Sequence, residues 1–114
     1  MVDGKVETIL HICPRAEWLA ALASGVYRAA SLETEGFIHC SRLEQVIPVA
    51  NRYYRRTPDL VVLWIDVNLV EAEIRWEAAE GGELFPHIYG PIEVDAITAV
   101  THLIPDQNGE FLNL

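Results

Sequence analysis

Basic residues are scarce in this 114-residue chain: eight Lys and Arg stand against 17 Asp and Glu, for a formal net charge of −9. Seven of the eight are arginine, and the exception is Lys5. A surface of that sign repels phosphate backbones and offers no basic groove, which excludes nucleic acid as a partner. The one local concentration, Arg52, Arg55 and Arg56 in "NRYYRR", reads as a solvated helical face. Cysteine is scarcer still. Cys13 and Cys40 have no Cys-x-x-Cys spacing, and two thiols in a domain of this size fit a reduced, cytoplasmic protein better than a disulfide framework. No run approaches the roughly 18 apolar residues a membrane span needs. The opening "MVDGKVETIL" lacks the basic-then-apolar shape of a leader, so no membrane association is expected.

Apolar residues are plentiful. At 51% hydrophobic, the chain can bury a core without staples. A single domain over 1–114 is expected, with its core in about 8–104 and a turn and tail in 105–114. "ETILHI" alternates as a short buried strand. Pro14 suits the first position of a helix in "RAEWLAALAS", with Trp18, Leu19 and Leu22 on one side and Gly25 as a left-handed cap. "VYRAASLETEG" reads as a loop and "FIHCS" as a second short strand. Ser41 and Glu44 then form a capping box for a helix through "RLEQVIPVANRYYRR" that Pro48 kinks or splits in two. "LVVLWIDV", apolar almost throughout, predicts a central strand covered on both faces. "EIRWEAA" and "DAITAVTHLI" are further strands, and Gly81–Gly82 is a tight turn. Regular βαβ alternation is absent, so the fold class is α+β with a mixed or antiparallel sheet and short helices.

Three of the four histidines sit in short apolar runs: His11 in "ILHIC", His39 in "FIHCS" and His87 in "LFPHIYGP". Strand parity places His11 with Cys13, His39 with Phe37 and Ser41, and His87 with Phe85 and Tyr89. Three strands that each offer an imidazole from an apolar wall can line one cleft, and imidazole donates or accepts near neutral pH. His102, in "VTHLI", reads as an edge or surface residue. Three histidines can also hold zinc, but no His-x-x-x-His or His-x-His pair is present, so no metal site is expected and zinc stands as a further alternative. A Cys–His nucleophilic pair lacks any mark of an activated thiol. Among the acids, Glu33 and Glu35 precede the second patch. Glu77, whose strand runs beside the presumptive cleft, is the acid singled out as a catalytic partner.

The strings "LHICPRAEW", "GVYRAASLETEGFIHCS", "QVIPVANRYY", "IRWE" and "FPHIYGPI" together resemble the signature of domain-of-unknown-function family 952, from about Thr8 to about Ile104. That family is similar in fold to the ADP-ribosyltransferases, and the resemblance implies a split α+β sheet that cradles NAD or an ADP-ribose-type ligand. It implies a ligand-binding role for His11, in the place of the first-strand histidine that contacts the nicotinamide-side ribose. It sets His39 in the second motif, with Ser41 beginning the following helix, and His87 where the class supplies an acid or glutamine. Catalysis would fall to His39, His87 and Glu77, and binding to His11, Ser41, Arg42, Arg28 and Tyr89, in an ADP-ribosyl or phosphotransfer-type transferase using NAD. The alternative is a non-catalytic binding or regulatory module that kept the cleft without turnover.

Overall fold

A computed structural model describes residues 7–114; the opening segment 1–6, with Lys5 and part of the stretch lacking leader character, lies outside them. The chain runs β1 (Thr8–Pro14), α1 (Arg15–Ser24), β2 (Val26–Tyr27), α2 (Ala30–Thr34), β3 (Ile38–His39), α3 (Val46–Tyr53), β4 (Leu60–Asp66), β5 (Glu73–Ala78), β6 (Leu84–Tyr89), β7 (Ile92–Glu93) and β8 (Ile97–Leu103). Short 3-10 turns at Leu43–Gln45, Val67–Leu69 and Val94–Ala96 complete it. The architecture is α+β. Every strand pair among the described residues is antiparallel rather than mixed.

The apolar run of β4 has the cause its composition predicts. It is the middle strand of β1-β4-β8, and both its faces are covered. Val61, Leu63 and Ile65 join Ile9 and Cys13 in one core with Tyr27, Ile38, Ile88 and Ile92. The alternate residues Leu60 and Val62 join Leu10 and Ile12 in a second core with Val46, Ala50, Leu103 and Phe111. His11 lies opposite Leu63, so parity puts it on the Ile9–Cys13 face.

A second sheet has the order β3-β6-β5, and two backbone bonds join it to the first. Cys40 N–H donates to the Pro86 carbonyl at 3.0 Å, and the next residue, Ser41, exchanges bonds of 2.7 and 2.8 Å with Leu10 of β1. Pro86 lacks an N–H, so a continuing ladder would be broken there. The strand carrying His39 leaves β6 at that point and crosses to β1, which opens the seam where the cleft lies.

Several local expectations need correction. Pro14 caps α1 from outside the helix with extended backbone. Gly25 does end α1 in the left-handed region, at φ 86°. The buried side of α1 is carried by Ala21 and Trp18, whereas Leu19 and Leu22 are 47% and 51% exposed, because the sheet touches only one narrow stripe of this short helix. The "VYRAASLETEG" segment is ordered as β2 and α2 rather than as a loop. The expected Ser41–Glu44 box shifts by one: the Arg42 N–H donates to Oε1 of Gln45 at 2.8 Å. Of the two outcomes expected at Pro48, the second occurs: two successive short helical segments form, and Pro48 falls in the first turn of α3, where its missing N–H would have no intrahelical partner. α3 ends at Tyr53, which leaves Arg55 and Arg56 in the following turn. The tail also contributes to the core. Phe111 is 1% exposed, and the Asn51 side-chain amide clamps its backbone N–H and carbonyl at 2.7 and 2.8 Å.

Candidate active site

A cleft of about 770 Å³ opens at the seam between the sheets. It is lined by β1 at Leu10, His11 and Ile12, by Glu17 of α1, by Tyr27 and the start of α2, by Glu35, by His39–Ser41, by Tyr53 and Tyr54, and by Phe85 and His87. His11, His39 and His87, distant along the chain, therefore face one hollow. A volume of that size suits a small organic ligand.

His39 and His87 are direct cross-strand partners in the β3–β6 register, with ring centroids 5.2 Å apart in an edge-on arrangement. Phe37 stacks on His87 at 4.1 Å and also packs against His39 and Tyr89, which fixes both imidazole planes. Behind His87, Nδ1 lies 2.7 Å from Oε1 of Glu77, which also accepts from the Tyr89 hydroxyl at 2.6 Å. A carboxylate is acceptor-only, so Nδ1 carries a proton and donates it to Glu77. The Tyr89 and His87 hydrogen bonds hold the Glu77 carboxyl below its ordinary range, and the same bond to Glu77 pushes the Tyr89 hydroxyl up. Arg75, whose guanidinium lies 4.3 Å over the Tyr89 ring, closes this cluster from outside. His39 Nε2 pairs with Glu35 at 3.1 Å. Among the described residues, Nδ1 of His39 and Nε2 of His87 have no protein partner.

His11 differs from the other two. Its Nδ1 donates to the His39 carbonyl at 2.5 Å, and its Nε2 lies 2.8 Å from the Tyr27 hydroxyl. Both nitrogens are taken, so His11 pins β1 to β3 and offers the cleft only its ring. Burial lowers its pKa from 6.5 to about 4, against the raising effect of the His39 carbonyl, and the ring is neutral at pH 7. The Tyr27 hydroxyl also lies 3.1 Å from Oε1 of Glu17. Burial above all, with the nearby Cys13 and Glu17, pushes the Tyr27 hydroxyl far up, so it keeps its proton. Burial likewise raises the Cys13 thiol, to about 12, which leaves no activated nucleophile there.

The proton inventory of this chain is one short. Three contacts, His39 carbonyl to His11, His11 to Tyr27 and Tyr27 to Glu17, need three protons. A neutral imidazole and one phenol supply two. Tyr27 directs its hydroxyl hydrogen at Nε2 of His11, because an unpaired acceptor in a ring only 7% exposed costs about 1–3 kcal/mol, whereas Glu17 reaches solvent.

The remaining candidates divide. Ser41 lines the cleft. Tyr89 acts through Glu77 and Phe37. Arg42 pairs with Glu44 at 2.9 Å, and Arg28 is exposed; neither guanidinium reaches the lining. Among the described residues no group of three His, Cys, Asp or Glu side chains is placed to hold a metal ion. Three residues of the site lay outside the sequence reading. Tyr27 and Glu17 belong to a two-residue strand and a helix with no visible link to His11. Gln45, 3% exposed, props the cleft by donating to the Leu84 carbonyl at 2.9 Å.

Residues 12–100 match the family described as Protein of unknown function (DUF952). The chain belongs to that family. The matched span begins one residue after His11 and includes His39, Glu77 and His87. The DUF952 chain is similar to Protein CC0527 from Caulobacter crescentus, whose X-ray crystal structure shares 36% identity and a TM-score of 0.84 over 92% of this chain and 93% of that one. The solution NMR structure of CC0527 gives a TM-score of 0.74 at 36% identity, over 90% and 89% of the two chains. Comparison with curated proteins finds no match.

Proposed function

We propose that the cleft binds NAD or an ADP-ribose-type ligand and that the domain is a small transferase of the ADP-ribosyltransferase type. One observation carries this reading: the rings of His39 and His87, each with an unpartnered nitrogen, lie 5.2 Å apart across β3 and β6 at the wall of a ligand-sized hollow. The split antiparallel sheet supports it, since the cleft opens where β3 passes from one sheet to the other. A histidine in the third motif lacks the charge a transferase uses to stabilise an oxocarbenium-like sugar. In this chain Glu77 supplies that charge one bond behind His87.

In the proposed reaction His87 Nε2 accepts a hydrogen bond from a ribose hydroxyl, and Glu77 stabilises the positive charge that the imidazole gains. The C–N glycosidic bond breaks, its electron pair leaves with the nicotinamide nitrogen, and an acceptor hydroxyl adds to the sugar carbon as its proton passes through the ribose hydroxyl to His87 Nε2. His39 orients the ribose, and Ser41 stands at the wall. The phosphates extend past Ser41, and Arg42, which lies outside the lining, leaves its pair with Glu44 to meet them.

Calorimetry and nicotinamide release with NAD and ADP-ribose test this directly. Saturable NAD binding is expected, weakened about tenfold or more by His87→Ala, with release lost in Glu77→Gln. Folded protein that gives no heat and no release at millimolar NAD overturns the reading.

A further inference from the structure

We infer that the inner end of the cleft selects a flat organic cation bearing N–H donors, held between the Glu17 carboxylate and the Tyr27 hydroxyl oxygen. The inference depends on the cleft being a binding site, as proposed above, and sharpens its ligand class. Two independent observations meet here. The first is the missing proton: with the Tyr27 hydroxyl hydrogen directed at His11, the Glu17 and Tyr27 oxygens face each other at 3.1 Å with no proton between them, and both residues line the cleft. The Cys13 thiol lies within hydrogen-bonding reach of the same hydroxyl, but it adds no proton between Tyr27 and Glu17. A ligand N–H placed against both oxygens completes the chain.

The second observation is the sign and shape of the walls. The charged side chains lining the cleft are Glu17 and Glu35; among the described residues no lysine or arginine lines it. One oxygen of Glu35 is taken by His39, so this carboxylate adds negative potential without closing the hollow. Tyr53, Tyr54 and Phe85 supply aromatic walls, which attract a cation over their faces and favour a planar one. An anionic head group meets the opposite of what it needs at this end. Amidinium, guanidinium and carboxamide-bearing pyridinium groups have the required charge, planarity and N–H.

Benzamidine and benzamide form the test pair: flat, nearly isosteric, and different in a full charge and in an NH2 group where the amide has an acceptor oxygen. Titrations followed by amide NMR should show benzamidine binding about tenfold more tightly than benzamide, with shifts at Glu17, Tyr27 and His11. Glu17→Gln, at an exposed position that keeps the fold, should erase most of that preference. Equal affinity for the two probes, no binding of either, or a preference unchanged in Glu17→Gln overturns the inference. NAD titrated into the same samples separates the two readings. NAD binding without a cation preference leaves the nucleotide proposal standing and this one refuted, and benzamidine binding without NAD binding does the reverse.

Discussion

Lowering the pH from 7 to 5 protonates the histidines of the unfolded chain but not His11 in the folded one. The folded pKa is depressed, from 6.5 to about 4, so between those values the unfolded state holds one more proton at this position. Stability therefore falls with pH across that window. Taking about 1.4 kcal/mol per unit, the loss from His11 alone is about 2 kcal/mol between pH 7 and 5 and about 3 kcal/mol by pH 4. For a domain of this size that is a large fraction of the total. The assay is urea unfolding at pH 7, 6 and 5 in the native chain and in His11→Asn, which removes the titration. All other groups titrate in both, so they cancel in the difference. The native chain should lose about 2 kcal/mol more than the variant over this range, whatever the variant's starting stability. Parallel stability profiles for the two proteins would show that His11 is not held neutral, and the proton inventory of the His11–Tyr27–Glu17 chain would fall with it.

The other predictions concern the frame around the cleft. Phe111→Ala should cost about 3–5 kcal/mol in urea unfolding, because the ring lies wholly inside the second core; a loss under about 1 kcal/mol would mean that the tail is not packed there. Gly109→Ala sets a Cβ 2.3 Å from Cγ of Arg56 in a backbone at φ 82°, and should cost about 1–3 kcal/mol, with amide exchange rising over 105–111. By contrast, Arg15→Ala removes an ion pair whose side chains are 46% and 58% exposed, and should move the midpoint by less than about 1 kcal/mol.

The central strand was readable because burial on both faces leaves a continuous apolar run, and "LVVLWIDV" has one. Parity placed His11 with Cys13, and His39 opposite the face of Ile38, because alternation is a local property of a strand. The crossing of β3 from one sheet to the other was not readable. It depends on Pro86, which occupies a position 45 residues beyond Ser41 and looked only like a constraint on its own segment. The neighbourhood of Glu77 marks it in the sequence, whereas nothing local marks Tyr27 and Glu17. Their bond to each other and to His11 joins three elements whose sequence patterns are silent about one another. α2 escaped notice for a related reason: "ASLET" has neither a capping side chain nor a buried residue, and its helix is held by the backbone turn to Glu35 and Gly36. The face of α1 was misjudged because which leucines a short helix buries is decided by the sheet it meets.

The most direct test of the account follows the imidazole nitrogens themselves in a long-range proton–nitrogen spectrum while NAD is added to the folded protein. Nδ1 of His39 and Nε2 of His87 should shift together on saturation, and the nitrogens of the exposed His102 should stay in place. Shifts at none of these nitrogens, or at His102 alone, would contradict the claim that the two unpartnered imidazoles form a working site.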